Sequence, residues 1–406
     1  MLSHGGRRSL NLAFIGTRGV PARYGGLETA VEEVGRRLVE MGHGVTVYCR
    51  HGDEGADEPD EHLGMELVHL PAIKRKTAET LSHSALSTLH ALTRRKQPDM
   101  VFMFNAANSP LLPLLRARRI PAAVHVDGLE WRRAKWNGFG KQYYRLAESL
   151  TVRWADALIA DAQGIVAYYR DEFDSSTSPL SYGAPILRDL PDDLLGTLSL
   201  TSGHFHVAVA RFEPENNVDM LVRGYRASGA VLPLVVVGSA PYNDAYTRSI
   251  HDATADDPRI LIVGAVWNQD LLNQLYAHAA TYLHGHSIGG TNPSLLRAMG
   301  AGTCVLAYDS NFNREVLSEH GVFFDDEKTV AALVEAAEAE PGEHRSRGLA
   351  LQQRAASTYR WDDVATGYEQ LALDVAAGAS RRGEASGRRN RTSTWHGELL
   401  AVPAQQ

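Results

Sequence analysis

Short apolar runs alternate with longer amphipathic stretches along most of this chain, and the alternation predicts strands and helices in turn. In the first half, strands are predicted at 10–15, 45–49, 66–70, 99–104, 121–126 and 157–160. Helices are predicted between them at about 28–41, 78–95, 109–118 and 138–153. Strands that are separated by helices pair in parallel, because the helix carries the chain back to the same edge. The first half is therefore predicted to be a parallel sheet with helices on both faces.

A second series of the same kind follows a polar linker at about 182–203. Its predicted strands lie at 206–210, 232–237, 259–263, 281–284 and 303–307, and its predicted helices at 218–228, 245–255, 269–279, 293–300 and 312–318. We predict two Rossmann-like, doubly wound α/β domains, 1–185 and 186–360. Such halves facing each other form a cleft at the carboxyl ends of both sheets, where ligands bind.

Two segments follow the second domain. Residues 361–376 have the spacing of a final amphipathic helix. Residues 377–406 are poor in apolar residues and rich in Arg, Gly and Ser, which predicts a disordered tail.

Composition excludes several classes of protein. A net charge of −7 argues against nucleic acid as the main partner. The two cysteines, Cys49 and Cys304, lie in apolar strand-like runs, which excludes a disulfide framework and fits a reducing cytoplasm. The chain has no run of eighteen apolar residues, so no membrane span is predicted. The apolar run after the N-terminus is too short for a signal peptide.

The stretch HGHSIGGTNPSLL, starting at His284, joins a predicted strand to a predicted helix. Its turn, 289–292, contains Gly289, Gly290, Thr291 and Asn292, and Pro293 follows as a residue well suited to the first helical position. Backbone N–H groups at a helix N-terminus bind phosphate. Simple packing between a strand and a helix is the alternative explanation for this turn.

Arg211 follows a predicted strand in the sequence ARFEPENN, so it lies at the expected cleft. A guanidinium can bind a diphosphate through two oxygens. The alternative is an ion pair with Glu213 or Glu215.

The first glycine-rich loop, GTRGVPARYGGLET, lacks the spacing of a dinucleotide-binding loop. Gly25 and Gly26 instead suit a backbone that closely approaches a bulky ligand. A flexible surface loop is the alternative.

His125 and Asp127 close the fifth predicted strand on the same side. Either can orient an acceptor hydroxyl or take its proton. The alternatives are a core histidine for His125 and a cap on the following turn for Asp127.

Three basic clusters fall in the first half, at 74–76, 94–96 and 116–119. Together they suggest contact with an anionic surface such as the inner leaflet of the cytoplasmic membrane. Solvated helix ends are the alternative for each cluster.

Four motifs, FIGTRGVPARYGGLET, VDGLEWRRAKW, ARFEPENN and HGHSIGGTNPSLL, resemble GT-B glycosyltransferases of family 4, in particular the rhamnosyltransferase-type branch. The resemblance covers about residues 10–376. It implies metal-independent, retaining transfer of a sugar without a cofactor, often L-rhamnose from dTDP-rhamnose. The implied acceptor is a saccharide, commonly lipid-linked, in the synthesis of cell-surface polysaccharide.

The resemblance also implies roles for individual residues. Gly25 and Gly26 would line the donor phosphates, and Asp127 stands where many family members have an active-site histidine. Arg211 would bind the diphosphate, and Gly290, Thr291 and Asn292 would hold phosphate and sugar. The final helix would cross back to the first domain.

The chain departs from the family pattern at Arg297. A glutamate that accepts hydrogen bonds from ribose hydroxyls is usual there, whereas arginine has only donors. This departure keeps two other functions open, a degenerate glycosyltransferase that acts as a scaffold subunit and a nucleotide-sugar epimerase of the same fold.

Overall fold

The computed structural model describes residues 8–22, 26–52, 58–73, 75, 78–126, 130–132, 138–239, 244–254 and 256–390. The chain divides into two compact units. Unit 1 comprises 1–131, 136–181 and 361–406, and unit 2 comprises 132–135 and 182–360. The main change of unit, at 181–182, lies close to the domain boundary predicted at 185–186.

The strands are β1 (Asn11–Ile15), β2 (Gly44–Arg50), β3 (Glu61–His62), β4 (Met65–Leu70), β5 (Met100–Phe104), β6 (Ala122–His125), β7 (Ala157–Ala160), β8 (Ser178–Pro179), β9 (His206–Val209), β10 (Leu234–Val237), β11 (Ile260–Gly264), β12 (Thr281–His284), β13 (Cys304–Tyr308) and β14 (Val322–Phe324). The helices are α1 (Gly26–Glu40), α2 (Glu79–Thr93), α3 (Leu112–Ala117), α4 (Gly138–Trp154), α5 (Gln163–Phe173), α6 (Val218–Ala227), α7 (Asp244–Thr254), α8 (Gln269–Ala277), α9 (Pro293–Ala301), α10 (Asn311–Leu317), α11 (Glu327–Ala339), α12 (Pro341–Thr358) and α13 (Trp361–Ala376). Short 3₁₀ helices lie at Ala106–Leu111, Glu130–Arg132, Leu195–Leu198, Pro214–Asn216 and Ser318–His320. Among these described helices, none has the length and apolar character needed to cross a bilayer.

Unit 1 is built on a sheet with the strand order β3-β4-β2-β1-β5-β6-β7-β8. Its strands pair in parallel except for β3, which is antiparallel to β4. The central strands β1 and β5 are apolar along most of their length because helices cover both faces of a parallel sheet. This confirms the predicted doubly wound fold.

Helix α13 belongs to unit 1 although it follows the last residue of unit 2 in the chain. It packs against α1 and β5, and the Tyr368 ring lies 5.2 Å from the Phe102 ring. The buried side chains of His43 and Glu369 meet at 3.2 Å between Nε2 and Oε1. The predicted return of the final helix to the first domain is confirmed.

Residues 378–390 depart from the predicted disordered tail. Arg381 and Ala385 are buried, and Arg389 pairs with the buried carboxylates of Glu148 and Glu172. Charged side chains are usually solvated, and the local sequence pattern does not show that Arg389 meets buried acids on α4 and α5. The rest of the predicted tail, 391–406, lies outside the described residues.

Unit 2 is built on a parallel sheet with the strand order β11-β10-β9-β12-β13-β14. The predicted linker packs onto this unit, where Leu187 N–H donates to the Gly300 carbonyl at 2.9 Å. A Cβ on Gly300 would lie 1.8 Å from the Pro185 carbonyl oxygen, so glycine permits this contact. The region 322–358, for which the sequence predicted no elements, forms β14, α11 and α12.

Candidate functional site

The candidate site of unit 2 lies at the carboxyl ends of β9, β12 and β13, which are neighbours in the sheet. Parallel strands bring their carboxyl ends to one edge, and the loops that follow them collect there. Two of these loops carry residues predicted from the sequence. The first, 210–217, contains Arg211, and the second, 285–292, contains Gly290, Thr291 and Asn292.

The 210–217 loop folds back on its own first residues. Asn216 Nδ2 donates to the Arg211 carbonyl at 2.8 Å, and the Glu213 N–H donates to the same oxygen at 2.8 Å. Asn217 has a φ of 49°, in the left-handed region that asparagine tolerates better than most residues. This turn brings the chain directly into α6 and holds the backbone of Arg211 at the end of the sheet.

Hydrogen bonds join the two loops to each other. The N–H and Oγ of Ser287 donate to the Glu215 carbonyl at 3.0 and 2.9 Å. Asn217 Nδ2 donates to the Gly285 carbonyl at 2.8 Å. A Cβ on Gly285 would lie 2.2 Å from the Asn216 carbonyl oxygen, so only glycine allows the loops to approach this closely.

We expect Gly285→Ala to lower kcat/KM for any nucleotide-sugar reaction by about tenfold or more, because small displacements of reacting groups are costly. The added methyl must push the 210–217 loop, and with it Arg211, away from 285–292. Initial-rate kinetics would measure this effect. Gly196→Ala is the matched control because a Cβ there meets no atom within 4 Å. Equal kinetics for both variants would contradict the proposed coupling of the loops.

The turn before α9 presents unused backbone donors. Asn292 caps the helix by accepting a hydrogen bond from the Ser294 N–H at 3.0 Å, and Pro293 has no N–H to satisfy. Within the described part of the chain, the N–H groups of Gly289 and Gly290 donate to no other residue. Gly289 has a φ of 137° and no atom within 4 Å of its Cβ position. The geometry therefore suits an anion at the helix N-terminus.

A pocket opens beside this turn. It is lined by residues of the 285–292 loop and by three residues after β13, namely His286, Ser287, Ile288, Gly289, Gly290, Asn292, Ser310, Phe312 and Asn313. Asn313 Nδ2 donates to the carbonyls of His286 and Tyr308 at 2.9 and 2.8 Å, which fixes one wall of the pocket. Sequence reasoning missed Ser310 and Asn313. Ser310 lies in the predicted loop after strand 303–307, and Asn313 lies at the start of the predicted helix 312–318. The carboxyl end of a predicted parallel strand was the signal that could have found them.

Buried polar side chains at the end of β12 contact the start of α9 and support the turn. The Tyr282 hydroxyl lies 2.9 Å from Ser294 Oγ and 3.0 Å from His284 Nδ1. Burial lowers the pKa of His284 to about 3, so its imidazole is neutral at physiological pH. The His284 ring stacks on His286 with centroids 4.3 Å apart. These contacts fix the end of β12 and the start of α9 relative to each other.

Arg211 is available to a ligand. Its side chain is exposed, and among the described residues its guanidinium makes no hydrogen bond and no ion pair. The alternative ion pair with Glu213 or Glu215 is therefore not formed, and the Glu215 side chain is itself buried. The Arg211 cation, which has no partner in the described part of the chain, therefore follows β9 at the same sheet edge as the turn at 289–292.

Arg297 lies on α9, the helix that starts at this turn. Its Nη1 donates to Gln269 Oε1 at 2.9 Å, and Gln269 is the first residue of α8. The side chain is partly exposed, so a guanidinium occupies this face of the helix where the resemblance implies a carboxylate.

The site residues that the sequence predicted in unit 1 are His125, Asp127, Gly25 and Gly26. His125 ends β6, is buried and stacks on Phe104 with centroids 5.3 Å apart. Burial lowers the pKa of His125 to about 4, which leaves the ring neutral. Gly26 is the first residue of α1, while Gly25 and Asp127 lie outside the described residues.

Two other glycines shape the first loop of unit 1. Gly16 and Gly19 have φ values of 108° and 107°. A Cβ on Gly16 would lie 2.3 Å from the Phe104 carbonyl oxygen, and one on Gly19 would lie 2.4 Å from Cys49 Sγ. Packing and backbone conformation therefore require these two glycines, whichever ligand the loop approaches. In the described residues no group of three or more His, Cys, Asp or Glu side chains is placed to hold a metal ion.

Comparisons with known proteins place a domain family on each half of the chain. A model described as a glycosyl transferase 4-like domain matches residues 25–178. A model described as glycosyl transferases group 1 matches residues 204–339. A comparison with curated proteins gave no significant match.

Solved structures show the same fold at low sequence identity. Sucrose-phosphate synthase from Thermosynechococcus elongatus is 20% identical with a TM-score of 0.76, over 91% of this chain and 100% of that one. HepE from Anabaena, solved in complex with UDP-glucose, is 15% identical with a TM-score of 0.70, at the same coverage. An E. coli structure described as trehalose-6-phosphate bound with UDP-2-fluoro glucose is 12% identical with a TM-score of 0.66, again over 91% and 100% of the two chains.

Proposed function

Because this chain is a nucleotide-sugar-dependent glycosyltransferase of the GT-B fold, we propose that it is a retaining enzyme of the rhamnosyltransferase type. Its donor would be dTDP-linked, with L-rhamnose as the leading candidate. Its acceptor would be a saccharide or lipid-linked saccharide in the synthesis of cell-surface polysaccharide. The reaction would take place in the cytoplasm, at the inner face of the membrane, without a metal or cofactor.

The observation that carries this proposal is that Arg211 and the turn before α9 follow neighbouring strands, β9 and β12, at one edge of the unit 2 sheet. The Arg211 guanidinium has no partner among the described residues, and the N–H groups of Gly289 and Gly290 are unused there as well. Sugar transfer from a nucleotide-sugar leaves a diphosphate, and negative charge develops on it in the transition state. Fixed donors aimed at that charge lower the barrier.

The family resemblance assigns further roles that complete the proposal. Gly25 and Gly26 would approach the donor phosphates, and His125 and Asp127 would position the sugar or the acceptor. Because its pKa is lowered to about 4, His125 would act as a neutral hydrogen-bonding group at physiological pH. Thr291 and Asn292 would contribute to binding of phosphate and sugar through the turn.

The proposal is tested by comparing donors in a thermal-shift experiment. A ligand that binds only the native state raises the unfolding midpoint. We expect dTDP-rhamnose to raise it more than UDP-glucose or GDP-mannose at equal concentration. HepE from Anabaena is described in complex with UDP-glucose, so a larger shift with UDP-glucose would replace the dTDP assignment. If no donor shifts the unfolding midpoint, the proposed donor site is wrong.

Arg297→Glu tests how the nucleotide is recognised. Glutamate can accept hydrogen bonds from both ribose hydroxyls, whereas Arg297 offers only donors. We expect the variant to bind UDP-sugars more tightly, by about tenfold or more for a regained charge-assisted hydrogen bond. Isothermal titration with UDP-glucose would measure this. Weaker binding would show that Arg297 itself contacts the donor.

Arg297 is also the reason to consider a scaffold without activity. Product analysis by NMR separates the functions, since transfer, hydrolysis and epimerisation of the sugar give different products. Donor binding without any turnover would favour the scaffold. An epimerised nucleotide-sugar formed in the absence of acceptor would favour the epimerase.

A further inference from the structure

Helix α2 of unit 1 has its polar and apolar faces reversed. The face that packs inward carries His83, Ser84, Ser87 and Thr88, and each of these is 0% exposed. The outward face carries leucines, of which Leu86 is 40% exposed and Leu89 is 50% exposed. An ordinary surface helix places its apolar residues inward.

This arrangement does not favour folding. His83 Nδ1, Ser84 Oγ and Thr88 Oγ1 are buried, and among the described residues they have no hydrogen-bond partner. Burial of a polar atom without a partner is unfavourable, and the exposed part of a leucine side chain contributes nothing to folding. The small inward side chains let α2 approach β1 and the 3₁₀ helix Ala106–Leu111 closely. The outward leucines need a different explanation.

Two other helices of unit 1 also expose apolar side chains. Helix α3 contacts α2 and exposes Leu114 to 42%, and α4 packs on Ala106–Leu111, which leads into α3. Helix α4 exposes Phe139 to 81% and Leu146 to 57%. A single exposed leucine is common, but a group on adjoining helices marks an interaction site. We call this group the α2–α4 surface, defined by Leu86, Leu89, Leu114, Phe139 and Leu146.

The charges on the segment that contains α2 and α3 are mostly positive, and Glu79, the first residue of α2, pairs with Arg50 at 3.0 Å between Oε1 and Nη1. Between residues 80 and 126 the sequence has six basic side chains and one acidic side chain, in a protein of net charge −7. The acid, Asp99, accepts hydrogen bonds from Asn11 N and Nδ2 at 2.7 and 3.1 Å. Arg94 binds Glu66, which leaves five exposed basic residues, namely Arg95, Lys96, Arg116, Arg118 and Arg119.

We propose that the α2–α4 surface docks on an anionic lipid bilayer. The apolar side chains would enter the interface between headgroups and acyl chains, and the five basic residues would lie against lipid phosphates. A second copy of the chain is the alternative occupant. A symmetric dimer would place this surface against itself and set its basic residues against one another, which is unfavourable.

The inference deepens the proposed use of a lipid-linked acceptor, but it is tested without any donor or acceptor. Purified protein is sedimented with vesicles of phosphatidylcholine alone and with vesicles of equimolar phosphatidylcholine and phosphatidylglycerol. We expect binding to the mixed vesicles only, decreasing as salt is raised. Failure to bind would overturn this inference, while donor-induced thermal shifts would still report on the donor site.

Leu86→Gln combined with Leu89→Gln tests the apolar contribution. Glutamine keeps the helix propensity close to that of leucine, so α2 should remain folded. We expect the partition coefficient on mixed vesicles to fall by about tenfold or more. Leu349→Gln is the matched control, because Leu349 is 57% exposed on α12 of unit 2. Equal binding by the double variant and the native protein would overturn the inference.

Arg95→Glu combined with Lys96→Glu tests the electrostatic contribution without altering the leucines. We expect about tenfold weaker binding or more, together with a flatter salt dependence. The control is Lys328→Glu combined with Arg345→Glu, which makes the same change of charge at exposed positions in unit 2. An equal loss of vesicle binding in both double variants would show that binding depends on overall charge, and this would overturn the proposal of a specific docking surface. Analytical ultracentrifugation showing a dimer that the leucine variant dissociates would assign the surface to a second copy.

Discussion

Replacement of Arg211 by alanine is expected to lower kcat for sugar transfer by about a hundredfold to a thousandfold. This is the usual loss when one fixed donor to a developing negative charge is removed. The Arg211 side chain is exposed and has no partner among the described residues, so its removal should leave the unfolding midpoint of the free protein unchanged. The same variant should lose the thermal shift that dTDP-rhamnose produces.

Two further variants sharpen this experiment. Arg211→Lys keeps a positive charge but cannot bind two phosphate oxygens side by side, so we expect partial activity. Arg248→Ala removes another exposed arginine of unit 2 and should behave like the native protein. A full donor-induced shift in Arg211→Ala would remove this residue from the site. An equal loss in Arg248→Ala would show that the effect arises from net charge.

Arg389→Ala is expected to destabilise unit 1 by about 3–5 kcal/mol, since removal of one partner leaves buried charges uncompensated. Arg389 Nη1 lies 3.1 Å from Glu172 Oε1 and donates to the Tyr168 hydroxyl at 2.8 Å, and its Nη2 binds Glu148. The two acids are buried on α4 and α5, where water cannot replace the guanidinium. Urea unfolding monitored by circular dichroism would measure the loss. Arg388→Ala, at the exposed neighbouring position, is the control and should change little.

The loss of folding free energy in Arg389→Ala should also depend on pH. Burial raises the pKa of Glu148, and the Arg389 charge opposes that effect. Without Arg389 the folded-state pKa of Glu148 rises further. A carboxyl whose folded-state pKa lies above its unfolded value favours folding at low pH and loses that advantage as pH rises. The difference in folding free energy between the native protein and Arg389→Ala should therefore be largest above neutral pH and decrease as the pH is lowered. A deficit that grows as pH falls would contradict this assignment.

The sequence predicted much of the fold because the interior of a parallel sheet has a local signature. Apolar runs such as those of β1 and β5 are covered by helices on both faces, so their composition alone identifies them. The final helix was predicted from its amphipathic spacing. The helices α5, α11 and α12 and the short strands β3, β8 and β14 were missed.

Parts of the candidate site could also be predicted from the sequence. Gly289–Asn292 and Arg211 each follow a strand, and the carboxyl ends of parallel strands carry ligand-binding loops. The sequence left open whether Arg211 forms an ion pair with a neighbouring glutamate. The structure shows no such pair among the described residues, and the Glu215 side chain is buried. The role of Arg297 stays a prediction for the binding experiments.

By itself the sequence determined where most of the strands and helices lie along the chain, the two-domain plan and the residues that follow each predicted strand, since all of these depend on near neighbours in the chain. Only the tertiary structure decided that Ser287 binds the Glu215 carbonyl, that Asn313 holds the pocket wall and that Arg389 meets buried acids. It also decided that the leucines of α2 face outward. The physical reason is that each contact joins residues far apart in the chain. Which residues meet depends on the order of strands in the sheet and on helix packing, and no local periodicity encodes either of these.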